Sequence, residues 1–211
     1  MSRPQQSRAV RTRAAIVRSA AEEFDLHGYA GTSTTKIVKR AGSTMGALYF
    51  HFDSKEDLAR AVMAEQGADL PDMPGSPGLQ RLIDLTFEIA RALQDNVLLR
   101  AGVRLAIEQG TFGLRDESAY QLWIATFEQE LVAAQALGEL RDGVDPAAVA
   151  RFLVGSYSGI QLLSDISSGR ADLPERITEL WRYVLPALAV PELLEKLRQT
   201  GREAAAGTGA G

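Results

Sequence analysis

Five arginines stand in the first 18 residues, Arg3, Arg8, Arg11, Arg13 and Arg18, and no acid interrupts them before Glu22. Guanidinium groups at this density neutralise phosphates and release condensed counterions, although a solvated helix face uses the same residues. Further along, TSTTKIVKRAGSTMGALYFHF (residues 32–52) combines hydroxyl side chains and lysines with a glycine-marked turn, then places Tyr49 and Phe50 close behind Gly46. Hydroxyls near helix starts are natural phosphate donors, and aromatic rings can touch sugar, phosphate or a thymine methyl. Other chemistries lack their parts. The chain has no Cys and only two His, His27 and His51, without metal-ligand spacing to other ligands. No glycine-rich phosphate loop or nucleophile elbow appears, so an enzyme, a metal site and a cofactor are not expected.

Overall charge obscures this arm. The net charge is −4, but residues 1–60 hold ten Lys or Arg against six Asp or Glu, while the remainder holds thirteen against twenty-one. Positive charge is concentrated at the front, where a phosphate partner would be met. The absence of Cys, of a signal-peptide pattern and of about 18 continuous apolar residues points to a cytoplasmic chain with no membrane span.

Apolar residues recur at helical spacing almost throughout, so the expected fold is all-α. A first helix is read over about Ser7 to His27, with Gly28 ending it in a left-handed cap. Three short helices follow: about 34–41, capped by Thr32 or Ser33; a second capped by Thr44 and running through His51; and a third opened by a capping box of Ser54 with Asp57. GADLPDMPGSPG (residues 67–78) must break regular structure and is read as a loop. Helices resume at about 79–94, 96–110 and 118–137. Asp145-Pro146 opens a long helix to about Ser167, with a kink expected at Gly155 or Gly159, and Asp172 precedes another over Pro174 to Leu188. The expected organisation is a DNA-binding domain over residues 1–53, a larger helical domain over 54–200 with a connecting helix at 54–66, and a disordered tail over 201–211.

The turn at Ala41, Gly42 and Ser43 gives helix-turn-helix spacing. Gly42 can take positive φ, and Ile37, Ala41 and Leu48 can fill the inside corner. The outer face of the second helix then presents Thr44, Met45, Gly46, Tyr49 and Phe50 to a groove.

The run from Ala20 to Leu58, including EEFDLHGYAGTSTTKIVKRAG and GALYFHFDSKEDL, resembles the DNA-binding domain of the TetR family of repressors. GALYFHFDSKEDLARAVMAEQ, with LTFEIARALQDNVLLRAGVRLA at residues 85–106, is similar to the γ-butyrolactone autoregulator receptors of antibiotic-producing soil bacteria. The resemblance implies that residues 45–51 enter the major groove, that Thr34, Lys36 and Lys55 contact phosphate, and that Arg8 and Arg11 reach the backbone or minor groove. It also implies a homodimeric repressor that binds palindromic double-stranded operator DNA and releases it when a small signalling molecule binds. Two departures concern DNA. Ser43 stands where these families usually carry an apolar turn residue, and Met45 where the receptors often carry Lys, which lowers the salt slope by about 0.9 per lost phosphate contact.

For the ligand, the resemblance points to Trp123 in the pocket, with polar Gln66 near it, and Gly102 is read as leaving room for a cavity. Leu85, Leu98, Phe127 and Ile160 complete the candidate lining. Each apolar member also suits an ordinary core stripe, and Gln66 suits a solvated helix end. Related receptors often place a hydrogen-bonding Thr where Ile160 stands, and a lost donor costs about 1–3 kcal/mol. Two readings therefore stand: a receptor for a γ-butyrolactone, or a pseudo-receptor that senses an antibiotic, another apolar metabolite, or nothing. Phe152, Leu153, Tyr157, Ile160, Leu180, Trp181 and Val184 are expected on the dimer face, in a four-helix bundle. A pure protein-interaction module would leave the basic arm unexplained.

Overall fold

The computed structural model of the chain describes residues 3–68 and 73–201, with side chains from residue 8 onward. Residues 202–211 of the tail expected over 201–211, and residues 69–72 of the expected loop, lie outside the described residues. The described residues form helices α1 (Arg3–Gly31), α2 (Thr34–Arg40), α3 (Met45–His51), α4 (Lys55–Ala64), α5 (Leu79–Asp95), α6 (Val97–Glu108), α7 (Ser118–Ala136), α8 (Pro146–Ser168), α9 (Leu173–Leu188) and α10 (Pro191–Leu194). The only β pairing among them is an isolated antiparallel bridge between Leu140 and Ala189. None of these helices is long and apolar enough to cross a membrane.

Compactness divides the chain into two units, residues 1–69 with 95–119, and residues 70–94 with 120–211. This differs from a cut at residue 53, because α4 and α6 pack with α1 in the first unit. Local chemistry sets the short helices there. Ser33, Thr44 and Ser54 accept from the backbone N–H groups of Lys36, Ala47 and Asp57, each satisfying an N–H that has no intrahelical partner. The capping box is altered: the Asp57 carboxylate accepts from Asp53 N instead of from the Ser54 backbone. Gly28 interrupts α1 with φ 66° and ψ 179°, and Gly42 takes φ 57° in the turn. Ile37 and Leu48 are fully buried at the inside corner, while Ala41 is only partly buried.

In the second unit α8 packs on α9, and α10 on α9. Asp145 caps α8 through Ala147 N, with Pro146 at its first turn. The helix then runs uninterrupted through Gly155 and Gly159, and neither has positive φ. An isolated glycine lowers helix propensity but does not by itself break hydrogen bonding. Asp172 sits at the start of α9 without capping it. Its carboxylate takes Arg176 and the hydroxyls of Ser164 and Ser168 instead, which hold its pKa well below the usual carboxylate range. The N-terminus of α5 is satisfied from far away: Gly78 N donates to Glu130 and Leu79 N to Glu139. A polar knot ties the interior together, where Trp181 Nε1 donates to Thr86 Oγ1 at 2.9 Å and Tyr157 OH donates to Thr86 O at 3.1 Å.

That knot corrects the expected dimer face. Leu153, Tyr157 and Trp181 are buried inside their own unit, and Ile160, Leu180 and Val184 are half-buried. The exposed large apolar residues are Phe152, Leu162, Leu163 and Ile166 on α8, with Gly155 and Gly159 between them, and Tyr183 on α9. Apolar stripes with helical period do not reveal whether they meet their own chain or another.

Candidate nucleic-acid interface and effector-facing residues

The arginines of α1 divide into two groups. Arg13 bonds Glu65 at 2.6 Å and lies over the Phe52 ring, and Arg18 pairs with Glu22. Arg8 and Arg11 are exposed and form no ion pair among the described residues. The same division continues in α2. Arg40 is held by Glu22 and by buried Glu23. Thr32 Oγ1 also donates to Glu23 O, so α2 is fixed to α1 by charge and by hydrogen bonding. Lys36 is exposed, its ammonium 3.2 Å from Gly31 O, and Thr34 is half-buried.

On α3, Leu48 points inward while Tyr49 and Phe50 are 51% and 70% exposed. Two adjacent aromatics left this open on a seven-residue helix are unusual for packing and suit a docking face. Thr44 caps the helix, Met45 is half-buried, and a side chain added at Gly46 would meet only open space and Thr44 Oγ1 at 3.9 Å. Lys55 is occupied otherwise. Its ammonium lies 4.0 Å from the Tyr29 ring centroid, and burial lowers its pKa. A cleft of about 250 Å³ opens between Arg8, Arg11, Thr12 and Ala15 of α1 and the turn Ala41, Gly42, Ser43.

Tyr29 is a junction that sequence reading missed. Its ring stacks on Phe112 at 3.8 Å, its N–H donates to Glu108 and its hydroxyl donates to Glu56 at 2.6 Å. Burial, and then the bond to Glu56, push the Tyr29 phenol above its ordinary pKa, while the phenol lowers that of Glu56. Arg104 binds both Glu108 and Asp25 O, and Arg100 binds the Asp25 carboxylate. Apart from the local Arg104–Glu108 pair, these hydrogen-bonded partners are between 27 and 79 residues apart, so no local pattern signals them.

The candidate effector residues fall in both units. In the first, Gln66 is 2% exposed and its amide oxygen has no hydrogen-bond partner among the described residues. Gly102 does not leave a cavity: a Cβ there would lie 2.5 Å from Gln66 Cβ, so the glycine admits Gln66 itself. Leu98 is half-buried beside the α6 cap, where Asn96 accepts from Leu98 N and Leu99 N. In the second unit Leu85 and Phe127 are buried, and Trp123 and Ile160 are half-buried.

The comparisons with known proteins agree with the helix-turn-helix geometry. Residues 16–62 match "Bacterial regulatory proteins, tetR family", and residues 76–191 match "Tetracyclin repressor-like, C-terminal domain". The chain is 42% identical over 198 residues to the A-factor receptor protein of Streptomyces griseus, covering 93% of this chain and 71% of the relative. Among solved structures it is similar to TylP, a TetR regulator from Streptomyces fradiae, with 43% identity, a TM-score of 0.81 and coverage of 91% and 93% of the two chains. It is also similar to an ArpA-like γ-butyrolactone receptor, with 32% identity, a TM-score of 0.68 and coverage of 92% and 96%. These are regulators, not enzymes. The chain belongs to the TetR family of bacterial regulatory proteins.

Proposed function

We propose that this protein is a cytoplasmic, ligand-responsive transcriptional repressor that binds a palindromic operator as a homodimer and is released by a small signalling molecule of γ-butyrolactone type. The observation that carries the DNA-binding part is the separation of charge on one surface. Arg13, Arg18 and Arg40 are neutralised by acids within the fold, whereas Arg8 and Arg11 are left beside a recognition helix with bare Tyr49 and Phe50. Thr34 and Lys36 then serve the phosphates, and Thr44, Met45 and Gly46 the groove edge. Lys55 contributes through field more than contact, given its place on Tyr29.

A two-fold dimer reads half-sites spaced by about 34 Å or a multiple, and the open faces of α8 and α9 supply apolar surface for it. Gln66 supports ligand binding, since a buried amide oxygen without a partner is costly until something donates to it. Trp123, Leu85, Phe127 and Ile160 are the proposed apolar ligand residues of the second unit, and Leu98 that of the first. Gln66 follows Glu65, the partner of Arg13, so a ligand acting at the end of α4 bears on the helix that carries Arg8 and Arg11. A hundredfold loss of operator affinity requires only about 2.7 kcal/mol of differential binding.

A mobility-shift titration on the palindrome upstream of the protein's own gene, repeated with a synthetic 2-acyl-γ-butyrolactone, tests this. Release of a two-fold complex is expected. A specific complex that no lactone dissociates would favour the second reading that Ile160 motivates, a pseudo-receptor for an antibiotic or other apolar metabolite.

A further inference from the structure

We propose that Gln161 presents its amide NH2 to a carbonyl oxygen of the effector in the second unit, and that Arg170 is the positioning residue that turns the amide that way. The inference rests on the effector-binding reading and adds a donor to it, and with the donor a chemical class, an effector that carries a hydrogen-bond acceptor.

Three observations converge on it. The first is what the inward stripe of α8 leaves unused. Ala150, Leu153, Val154, Tyr157, Gln161 and Ser164 are buried there, and both hydroxyls are satisfied, Tyr157 OH by Thr86 O and Ser164 Oγ by the Asp172 carboxylate. Gln161 is 2% exposed and its oxygen accepts from Arg170 Nε and Nη2 at 3.4 Å, but its NH2 has no hydrogen-bond partner among the described residues. A buried amide that uses only its acceptor carries a desolvation cost that a ligand oxygen would remove. The second is orientation. A guanidinium only donates, so the side of the amide that faces Arg170 is its oxygen, and the NH2 is turned away from the arginine. The third is backbone strain. Arg170 has φ 70° and is the one non-glycine residue in the left-handed region among the described residues. It follows Gly169, the left-handed C-cap of α8, and its own N–H donates to Ser164 O at 3.1 Å. A long side chain stays in that conformation only where its surroundings over-determine it. Here the turn delivers a guanidinium that is 12% exposed onto Gln161 and onto Asp165, at 3.0 Å. Gln161 directly follows Ile160, so the donor missing at that position is supplied one residue later.

Release of the operator complex by a synthetic 2-acyl-γ-butyrolactone, titrated for wild type, Gln161→Glu, Arg170→Gly and Arg170→Lys, tests the assignment, with thermal melts and lactone-free operator affinity measured for each protein. Gln161→Glu keeps an oxygen for Arg170 and loses only the NH2. It should melt and bind operator as wild type does, yet need about tenfold more lactone for release, as for one hydrogen bond. Arg170→Gly relieves the strained turn and leaves the amide free to rotate, so its response should shift in the same direction. Arg170→Lys still donates to the amide oxygen and should respond as wild type does. Gln161→Glu released at wild-type lactone concentrations would overturn the donor, and a wild-type response in Arg170→Gly would overturn the positioning role. Gln161→Glu that melts early and loses operator affinity together with its response would make Gln161 a core residue and overturn the donor too. Wild type that holds its operator at every lactone concentration would overturn the γ-butyrolactone reading, and the donor with it, before any variant is compared.

Discussion

The two compact units hold themselves together by different means. In the first, charged and polar side chains cross between helices: Arg13 to Glu65, Arg40 to Glu23, Arg100 to Asp25 and Tyr29 to Glu56 and Glu108. In the second, Leu82, Ile83, Leu153, Ile177 and Trp181 are buried, Thr86 joins Trp181 and Tyr157, and ion pairs run from Arg81 to Glu130 and from Arg198 to Asp84. Ion pairs that are partly exposed contribute little each, about 0–1 kcal/mol, and can be exchanged. A dry, close-packed core cannot be rearranged so cheaply. The first unit has a buried apolar core of its own, with Ile16, Phe24, Ile37, Leu48 and Leu58, so only its polar ties are exchanged cheaply.

Substitutions in the two units should differ accordingly. Trp181→Ala should lower stability by about 3–5 kcal/mol in urea unfolding, because it leaves a cavity and removes the donor to Thr86 Oγ1, which keeps only its own bond to Ile83 O. A loss under 1 kcal/mol would contradict a rigid second unit. Gly28→Ala should cost about 1–3 kcal/mol, since φ is 66° and the new Cβ would lie 2.8 Å from Arg104 and 2.9 Å from Glu108. A neutral result would show that α6 does not clamp the break in α1.

Tyr29→Phe should cost about 1 kcal/mol at neutral pH through the lost bond to Glu56. The folded pKa of Glu56 is depressed, so its contribution is present above the unfolded value of about 4.3 and disappears as pH falls through the folded one. Melts of wild type and variant should therefore converge below pH 4, and a gap that persists in acid would assign the effect to packing on Phe112. The smallest expected change is in Gln66→Leu. Removing a buried, unpartnered amide oxygen should leave ligand-free stability unchanged or raised by about 1 kcal/mol, while the ligand concentration needed to release operator rises. A marked loss of stability would mean that Gln66 is a structural residue.

The same contrast governs what was legible in the sequence. The helix-turn-helix is specified locally: Ser33, Thr44 and Ser54 cap within three residues, and Gly42 marks its turn. Other features depend on residues distant in sequence. The start of α5 is closed by Glu130 and Glu139, more than fifty residues later, and Gly102 is filled by Gln66 from another helix. Asp172 has the local pattern of a cap, yet three nearby donors outcompete the backbone for its carboxylate. Leu153, Tyr157 and Trp181 have the period of an interface stripe because a core stripe has the same period.

The central claim is that the open face of α3 reads DNA. Its most direct test is a fluorescence-anisotropy titration of a labelled duplex carrying the palindrome upstream of the protein's own gene, with wild type beside Tyr49→Ala. Saturable binding of two chains per palindrome that falls steeply with salt is expected, with at least a tenfold loss in the variant. Equal binding by the two proteins, or no difference between the palindrome and a scrambled duplex, would contradict it.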